Sequence, residues 1–192
     1  LKPQVVFVST ASELEAFMRT LEQQKIAVYV AGPKTLDEIF KSIERIGEIV
    51  GNPRRAEDLV QNLKSRAAAA RGPVSYGSRP KVFVQVDKDA LYTVGSDSYI
   101  TDLVSRVGGV SATADLPTAY PKISRETALA MNPDVIIISA SSSNREPNEA
   151  FRNSPAVKSG RVYRVDADLL SRPGPRVVDA LEQIAEKLKS ER

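Results

Sequence analysis

The sequence predicts an α/β fold in two lobes with mainly parallel sheets. Three observations carry that expectation. Short β-branched runs alternate along the whole chain with segments whose apolar residues recur at helical spacing. The block Val135-Ile136-Ile137-Ile138 is unbroken rather than alternating, the pattern of a parallel strand covered on both faces. A Ser/Gly/Arg/Pro-rich stretch from Ser75 to Pro80 interrupts the alternation after a long helical stripe and reads as a domain boundary. With 192 residues, 42% of them hydrophobic, the chain can bury a sizeable core.

Val5 to Val8 is a short β-branched and aromatic strand. Ser12 with Glu15 forms a capping box that opens a helix carrying Leu14, Phe17, Met18 and Leu21 on one face. Ile26 to Ala31 is a second strand, ended by Gly32-Pro33. Thr35 with Glu38 is another capping box, ahead of Ile39, Phe40, Ile43, Ile46 and Val50 at helical spacing. Asn52-Pro53 supplies a cap and a first-turn proline for a long helix over about residues 54 to 71, with Ala56, Leu59, Val60, Leu63 and Ala67 as its stripe. Gly72-Pro73 stops it. Beyond the connection come a strand from Lys81 to Val86, a helix near Ser98 to Val107 closed by Gly108-Gly109, and a helix from about Ser124 to Met131. The strands Val135 to Ser139 and Arg161 to Val165 follow, then a last helix from Pro175 to about Lys189 with Val177, Val178, Leu181, Ile184 and Leu188 inward. The chain divides into a partial N-terminal lobe (1–52), a connecting helix (53–72) and a C-terminal lobe (73–192).

Composition removes several chemistries. Cysteine and histidine are both absent, which excludes cysteine nucleophiles, Ser/His/Asp triads, His-ligated zinc and thiolate-held iron–sulfur clusters. A net charge of +3 with interspersed signs, and no basic stripe, argues against nucleic acid. No segment reaches the ~18 consecutive apolar residues of a membrane span, and no export signal is seen. Gly95-Ser96-Asp97-Ser98 lacks the Gly-Lys-Ser/Thr ending of a P-loop. Asp166 and Asp168 flank Ala167, but with no further carboxylate close by they read as loop and cap residues, so no metal site is expected.

Several phrases in order then resemble a known group. They are Leu1-Lys2-Pro3 before an apolar strand, Tyr92-Thr93-Val94-Gly95 before a helix ending in Gly108-Gly109, Tyr120-Pro121-Lys122-Ile123-Ser124-Arg125-Glu126, Asn132-Pro133-Asp134-Val135-Ile136, and Gly174-Pro175-Arg176 opening the last helix. Together they resemble the solute-binding proteins of ABC importers for cobalamin, haem and ferric siderophores, over the whole chain. The resemblance implies a non-enzymatic protein of the periplasm or cell surface, exported as a lipoprotein or secreted form. It also implies two lobes joined by one rigid helix, a metal chelate held in the cleft between them, and the importer's membrane subunits as partner. The nitrogenase-type oxidoreductases share a similar layout but hold their clusters through cysteines. In the resembled family roughly the first half of the N-terminal lobe precedes the phrase that here starts at Leu1. The sequence is therefore expected to leave apolar surface and a sheet edge uncovered, and to self-associate as a homodimer or by swapping elements.

Site residues follow from the resemblance. Glu126 stands where such proteins carry a glutamate that meets arginines of the membrane subunit; the same carboxylate also suits a helix's first turn. Its N-lobe counterpart is Glu15, with Glu13 as substitute, although Glu15 also serves the capping box. Tyr120 stands where cobalamin-binding relatives place a cleft tryptophan, and as a loop tyrosine it can instead cover core. Ser9 and Thr10 follow the first strand, and Val30 lies in the second, at places where a cobalamin site carries aromatics. Tyr92 occupies another cleft-facing turn. Leu169, Leu170 and Arg172 are expected on a loop at a strand's C-terminal end, where ligands of open α/β sheets gather. The ligand itself stays open. Haem needs Tyr92 or Tyr120 in place of histidine, and an anionic siderophore draws on Lys122, Arg145 or Arg172, each otherwise solvated surface. No resident cofactor is expected. A ligand-free interaction module is the remaining alternative.

Overall fold

The computed structural model of the chain describes residues 2–9, 15–71 and 79–189. They fall into two compact units, 1–33 and 34–192. The capping box at Ser12, the helical position of Leu14 and most of the Ser75 to Pro80 connection lie outside the described residues.

In the first unit β1 (Val5–Ser9) and β2 (Ala27–Ala31) pair in parallel, from Val5 opposite Ala27 to Ser9 opposite Ala31, on either side of α1 (Glu15–Gln23) in sequence. The rings of Phe7 and Tyr29 meet edge-on at 5.9 Å. Helical spacing placed Phe17 and Leu21 on one inward face, and only Leu21 is buried; Phe17 is 49% exposed, as Phe7 and Val30 are also exposed. The physical reason is scale, since two strands and one short helix offer too little surface to enclose three large apolar side chains.

The second unit opens with α2 (Leu36–Ile49) and α3 (Pro53–Ala70). Thr35 caps α2 as expected, its hydroxyl accepting from Glu38 N–H at 3.2 Å. The return half of the box shifts by one residue: the Glu38 carboxylate accepts from Lys34 N–H at 2.7 Å. Asn52 does not cap α3 with its side chain, which instead donates to Val50 O at 3.1 Å, so the start of the helix rests on Pro53 in its first turn. The buried stripe of α3 is Ala56, Val60, Leu63, Ala67 and Ala70, a spacing of alternating four and three residues. Leu59 lies beside that narrow seam and stays exposed. Against α3 packs α8 (Val177–Lys189), where the Arg66 guanidinium forks onto Asp179 at 2.6 Å and onto both oxygens of Glu182 at 2.9 and 2.6 Å.

The sheet holds β3 (Lys81–Gln85), β4 (Val110–Ser111), β5 (Val135–Ala140) and β6 (Val162–Asp166) in the order β4-β3-β5-β6, every pair parallel. The two central strands β3 and β5 alternate their side chains between two cores. Val82, Val84, Val135 and Ile137 join residues of α3, α8 and α4 (Tyr99–Arg106) on one face. Phe83, Ile136 and Ile138 join α5 (Arg125–Met131) and α6 (Pro155–Lys158) on the other, with Phe83 and Phe151 ring centroids 4.5 Å apart. The expected α/β class with parallel sheets is therefore present. Four short elements add to it: β4, a 3-10 turn at Glu149–Phe151, α6, and α7 (Ala167–Leu170), which occupies what the sequence presented as a loop. The last helix begins at Val177 rather than Pro175.

Gly47 is buried where α2 crosses α3, and a Cβ there would stand 2.2 Å from the Cβ of Ala56. Gly47→Ala is expected to destabilise by about 1–2 kcal/mol, the overpacking penalty outweighing the ~1 kcal/mol gain in helix propensity. Urea denaturation that shows equal or greater stability would refute the close crossing.

Candidate functional site

Chain order and sheet order together locate the crevice. From β3 the chain passes through α4 to β4 on one side; from β4 it passes through α5 to β5, on the other side of β3. The connections leaving β3 and β5 therefore part from each other at their C-terminal ends, the place where open α/β sheets receive ligands. A buried pair of amides occupies that fork. Gln85, the last residue of β3, donates from Nε2 to Asn144 Oδ1 at 2.8 Å and to Glu146 O at 2.9 Å. Asn144 donates from Nδ2 to the carbonyls of Ser139, Val86 and Gln85 at 2.8, 3.0 and 3.3 Å. Asn148 completes the link, its backbone N–H donating to Gln85 Oε1 and its Nδ2 to Lys88 O, both at 2.8 Å. Sequence reasoning missed these residues. The only signal was a glutamine closing the otherwise apolar strand interior Val82-Phe83-Val84, because Asn144 and Asn148 lie in a polar run that reads as ordinary loop.

The same network fixes the turn that carries Tyr92. Asp87 Oδ1 accepts from Ala90 N–H at 2.7 Å, and Leu91, buried, adopts a left-handed φ of +56°. That conformation is costly for a leucine and is held by its packing against Ile123 and Phe83 in the second core. Tyr92 then pairs antiparallel with Lys122, and the pairing continues through Thr93 N–H to Pro121 O and Gly95 N–H to Ala119 O, each 3.0 Å. Gly95 permits this approach: a Cβ there would stand 2.1 Å from Thr118 O. Tyr92 and Tyr120 emerge from these paired segments 41% and 43% exposed.

The end of α7 is tied to the core by a residue that sequence reasoning did not single out. Tyr99, the first residue of α4, is 4% exposed and donates its phenol hydrogen to Leu170 O. Burial pushes that phenol well above its ordinary value, and the electrostatic influence of Tyr120 adds to the shift. The side chain of Leu170 is fully buried, so only its main chain faces this junction; Leu169 packs half-buried against the same core. Arg172 is exposed just beyond α7. Asp166 caps α7, accepting from Asp168 N–H at 2.8 Å, which is the ordinary role expected of that pair. Among the described residues no three His, Cys, Asp or Glu side chains gather as a metal site.

The other anticipated residues are placed by their own elements. Ser9 is exposed at the end of β1, and Thr10 lies outside the described residues. Glu126 is exposed in the first turn of α5, where its own N–H, the Ser124 hydroxyl and Arg125 hold its carboxyl below the usual value. Glu15 is the first residue of α1. Arg145 lies in the connection after β5, with its Nε donating to Ser141 O at 3.3 Å.

This chain belongs to the periplasmic binding protein family, whose description matches residues 1–169. That is a family of solute-binding proteins, not of enzymes. It is 30% identical over 198 residues to the ABC transporter substrate-binding lipoprotein YvrC of Bacillus subtilis, covering 98% of this chain and 62% of that protein. It is 29% identical over 191 residues to a vitamin B12-binding protein of Vibrio cholerae, covering 98% and 69%. The chain thus spans rather under two thirds of the first relative and slightly more of the second. Among solved structures, the periplasmic vitamin B12 binding protein BtuF of Vibrio cholerae superposes with a TM-score of 0.80 at 28% identity, over 98% of this chain and 75% of that one. The periplasmic heme-binding protein RhuT of Roseiflexus sp. RS-1 shares the fold at a TM-score of 0.80 and 22% identity, over 97% and 75%.

Asn144→Ala is expected to cost about 2–3 kcal/mol, because it leaves three carbonyls and one Gln85 donor short of a partner. Asn144→Asp is expected to cost more at neutral pH, since it buries a carboxylate against carbonyl oxygens, and to recover as pH falls and the raised-pKa carboxyl protonates. Equal denaturation midpoints for both variants and the parent chain would contradict the amide network.

Proposed function

We propose that this chain is the ligand-binding part of an extracytoplasmic solute-binding protein that captures a metal chelate and hands it to an ABC importer. A cobalamin-like corrinoid is the favoured ligand. The observation that carries the reading is the placement of the partly exposed Tyr92 and Tyr120 on paired segments, and of α7, among connections that leave the C-terminal ends of a parallel sheet. Tyr92 and Tyr120 are partly exposed, so each offers a flat apolar face to a ring ligand while its hydroxyl stays wet. Lys122 and Arg172 supply cations for anionic groups at the ligand's edge. Ser9, Thr10, Tyr92, Tyr120, Leu169, Leu170 and Arg172 form the proposed contact set, with Leu170 contributing main chain rather than its buried side chain. The relatives named for vitamin B12 support the corrinoid, and the relative named as a lipoprotein supports an extracytoplasmic site.

In this reading residues 1–52 and 73–192 act as lobes and 53–72 as a stiff spacer. Glu15 and Glu126 dock to cationic residues of the membrane subunits, a role favoured at Glu126 by exposure and a carboxyl held in its charged form. The exposed Phe7, Phe17 and Val30 of the first unit favour self-association as a homodimer or by exchange of elements. A second reading, haem or a ferric siderophore, draws on the same exposed phenols, which can ligate iron where no histidine is present.

Incubation of the purified protein with cobalamin, haemin or ferric siderophores, followed by gel filtration and visible absorbance, tests the ligand. Cobalamin is expected to co-elute, and Tyr120→Ala to weaken it by roughly tenfold or more. Retention of haemin or a siderophore alone moves the assignment to the second reading, and retention of none by folded protein leaves a self-associating interaction module. For docking, Glu15→Ala with Glu126→Ala is expected to lower ligand uptake through the importer by about tenfold without changing ligand affinity; undiminished uptake retires that role.

A further inference from the structure

We infer that Arg145 belongs to the ligand site and selects ligands that carry an anionic oxygen group, a role that rests on the site proposed above and adds to it the connection after β5. Residues 141–148 leave the C-terminal end of a central strand and contain no helix or strand. Side chains hold them instead. Gln85 Nε2 donates to Glu146 O, Asn144 Nδ2 reaches back to Ser139 O, and Asn148 N–H and Nδ2 bond to Gln85 Oε1 and Lys88 O. From β6 the Arg164 guanidinium donates to Arg145 O through Nε and to the Glu146 carboxylate through Nη2, both at 2.6 Å. The backbone at and on both sides of Arg145 is thereby fixed.

The connection shares its side of the sheet with the segments that carry Tyr92 and Tyr120. Leu91 and Ile123, the neighbours of Tyr92 and Lys122, lie in the second core with Ala150 and Phe151, which follow the connection directly. Asn144 also donates to Val86 O, where the chain turns toward Tyr92. Arg145 is exposed at this place, and its Nε is engaged by Ser141 O at 3.3 Å, which leaves the two Nη groups for a ligand. Among the described residues no carboxylate pairs with Arg145, whereas Arg66, Arg106 and Arg164 each hold one or two; the adjoining carboxylate, Glu146, is the one that Arg164 takes. A guanidinium presents planar paired donors that match a carboxylate or a phosphodiester, and with its backbone fixed and its Nε bonded, little more of Arg145 has to be ordered on binding.

The test compares ligands that differ in that group. Cobalamin carries a phosphodiester, and cobinamide has the corrin ring without it; haemin carries carboxylates that its dimethyl ester lacks; ferric citrate is anionic and ferrichrome is not. In whichever pair the parent chain binds, it is expected to prefer the anionic member. Arg145→Ala is expected to weaken that member about tenfold or more and to leave the other within about twofold. The change keeps the main-chain oxygen that Arg164 uses, so the denaturation midpoint should stay that of the parent. The pair that responds identifies the source of the anionic group. No preference in the parent, an unchanged affinity for the anionic member, or equal loss for both members overturns the inference and leaves the ligand site standing. A folded parent chain that retains none of the six compounds sinks the ligand site itself, and the role of Arg145 with it.

Discussion

The parallel pairing of β3 with β5, from Val82 opposite Val135 to Gln85 opposite Ile138, is the constraint on which the second unit depends. Both strands are covered on both faces, so their side chains must satisfy two cores at once. A one-residue slip would exchange Val82 and Val84 with Phe83 and Gln85 between cores of different shape and polarity. The register that results is also what sets Gln85 at the fork in the topology. There, a buried amide is tolerated only because Asn144, Glu146 and Asn148 meet it on all sides.

From that fork the geometry of the site follows by short steps. Gln85 and Asn148 anchor the turn after β3, the turn forces Leu91 into a left-handed conformation, and Leu91 delivers Tyr92 to its pairing with Lys122. Gly95 lets the returning chain that carries Tyr120 lie against it. None of these steps uses a charged pair in the crevice. Ion pairs bind α3 to α8 through Arg66 and α4 to α2 through Arg106, which reaches Asp102 and Asp37 at 2.8 Å each, while Arg164 pairs with Glu146 at 2.6 Å in the connection after β5.

Much of this was legible in the sequence. The β5 block announced a doubly covered strand, Gly108-Gly109 closed α4 where expected, and the helix placed from about Ser124 is α5. What periodicity missed was non-local or too short to have a period. β4 has two residues, α7 four, and the bond from Tyr99 to Leu170 spans 71 positions. Tyr99 itself looked like an ordinary apolar residue of a helix's first turn, because nothing in its neighbours reveals where a phenol hydroxyl ends. The first unit misled in the opposite direction: the spacing of Phe17 is that of an inward residue, and the short elements around it do not enclose it.

The distribution of order in the second unit bears on how a binding site of this kind gains affinity. Immobilising a rotamer-rich side chain costs about 0.5–1.5 kcal/mol on binding, and ordering a whole loop costs more. Here the backbones beneath Tyr92 and Tyr120 are already fixed by pairing, and the end of α7 by a bond from the core. The ordering cost is therefore met during folding, from the same burial that secures β3 and β5. What is left free is the exposed phenol faces and Arg172, each with few torsions or a solvated head. In the proposed reading such a wall would select its ligand by shape and by the placement of a few polar groups.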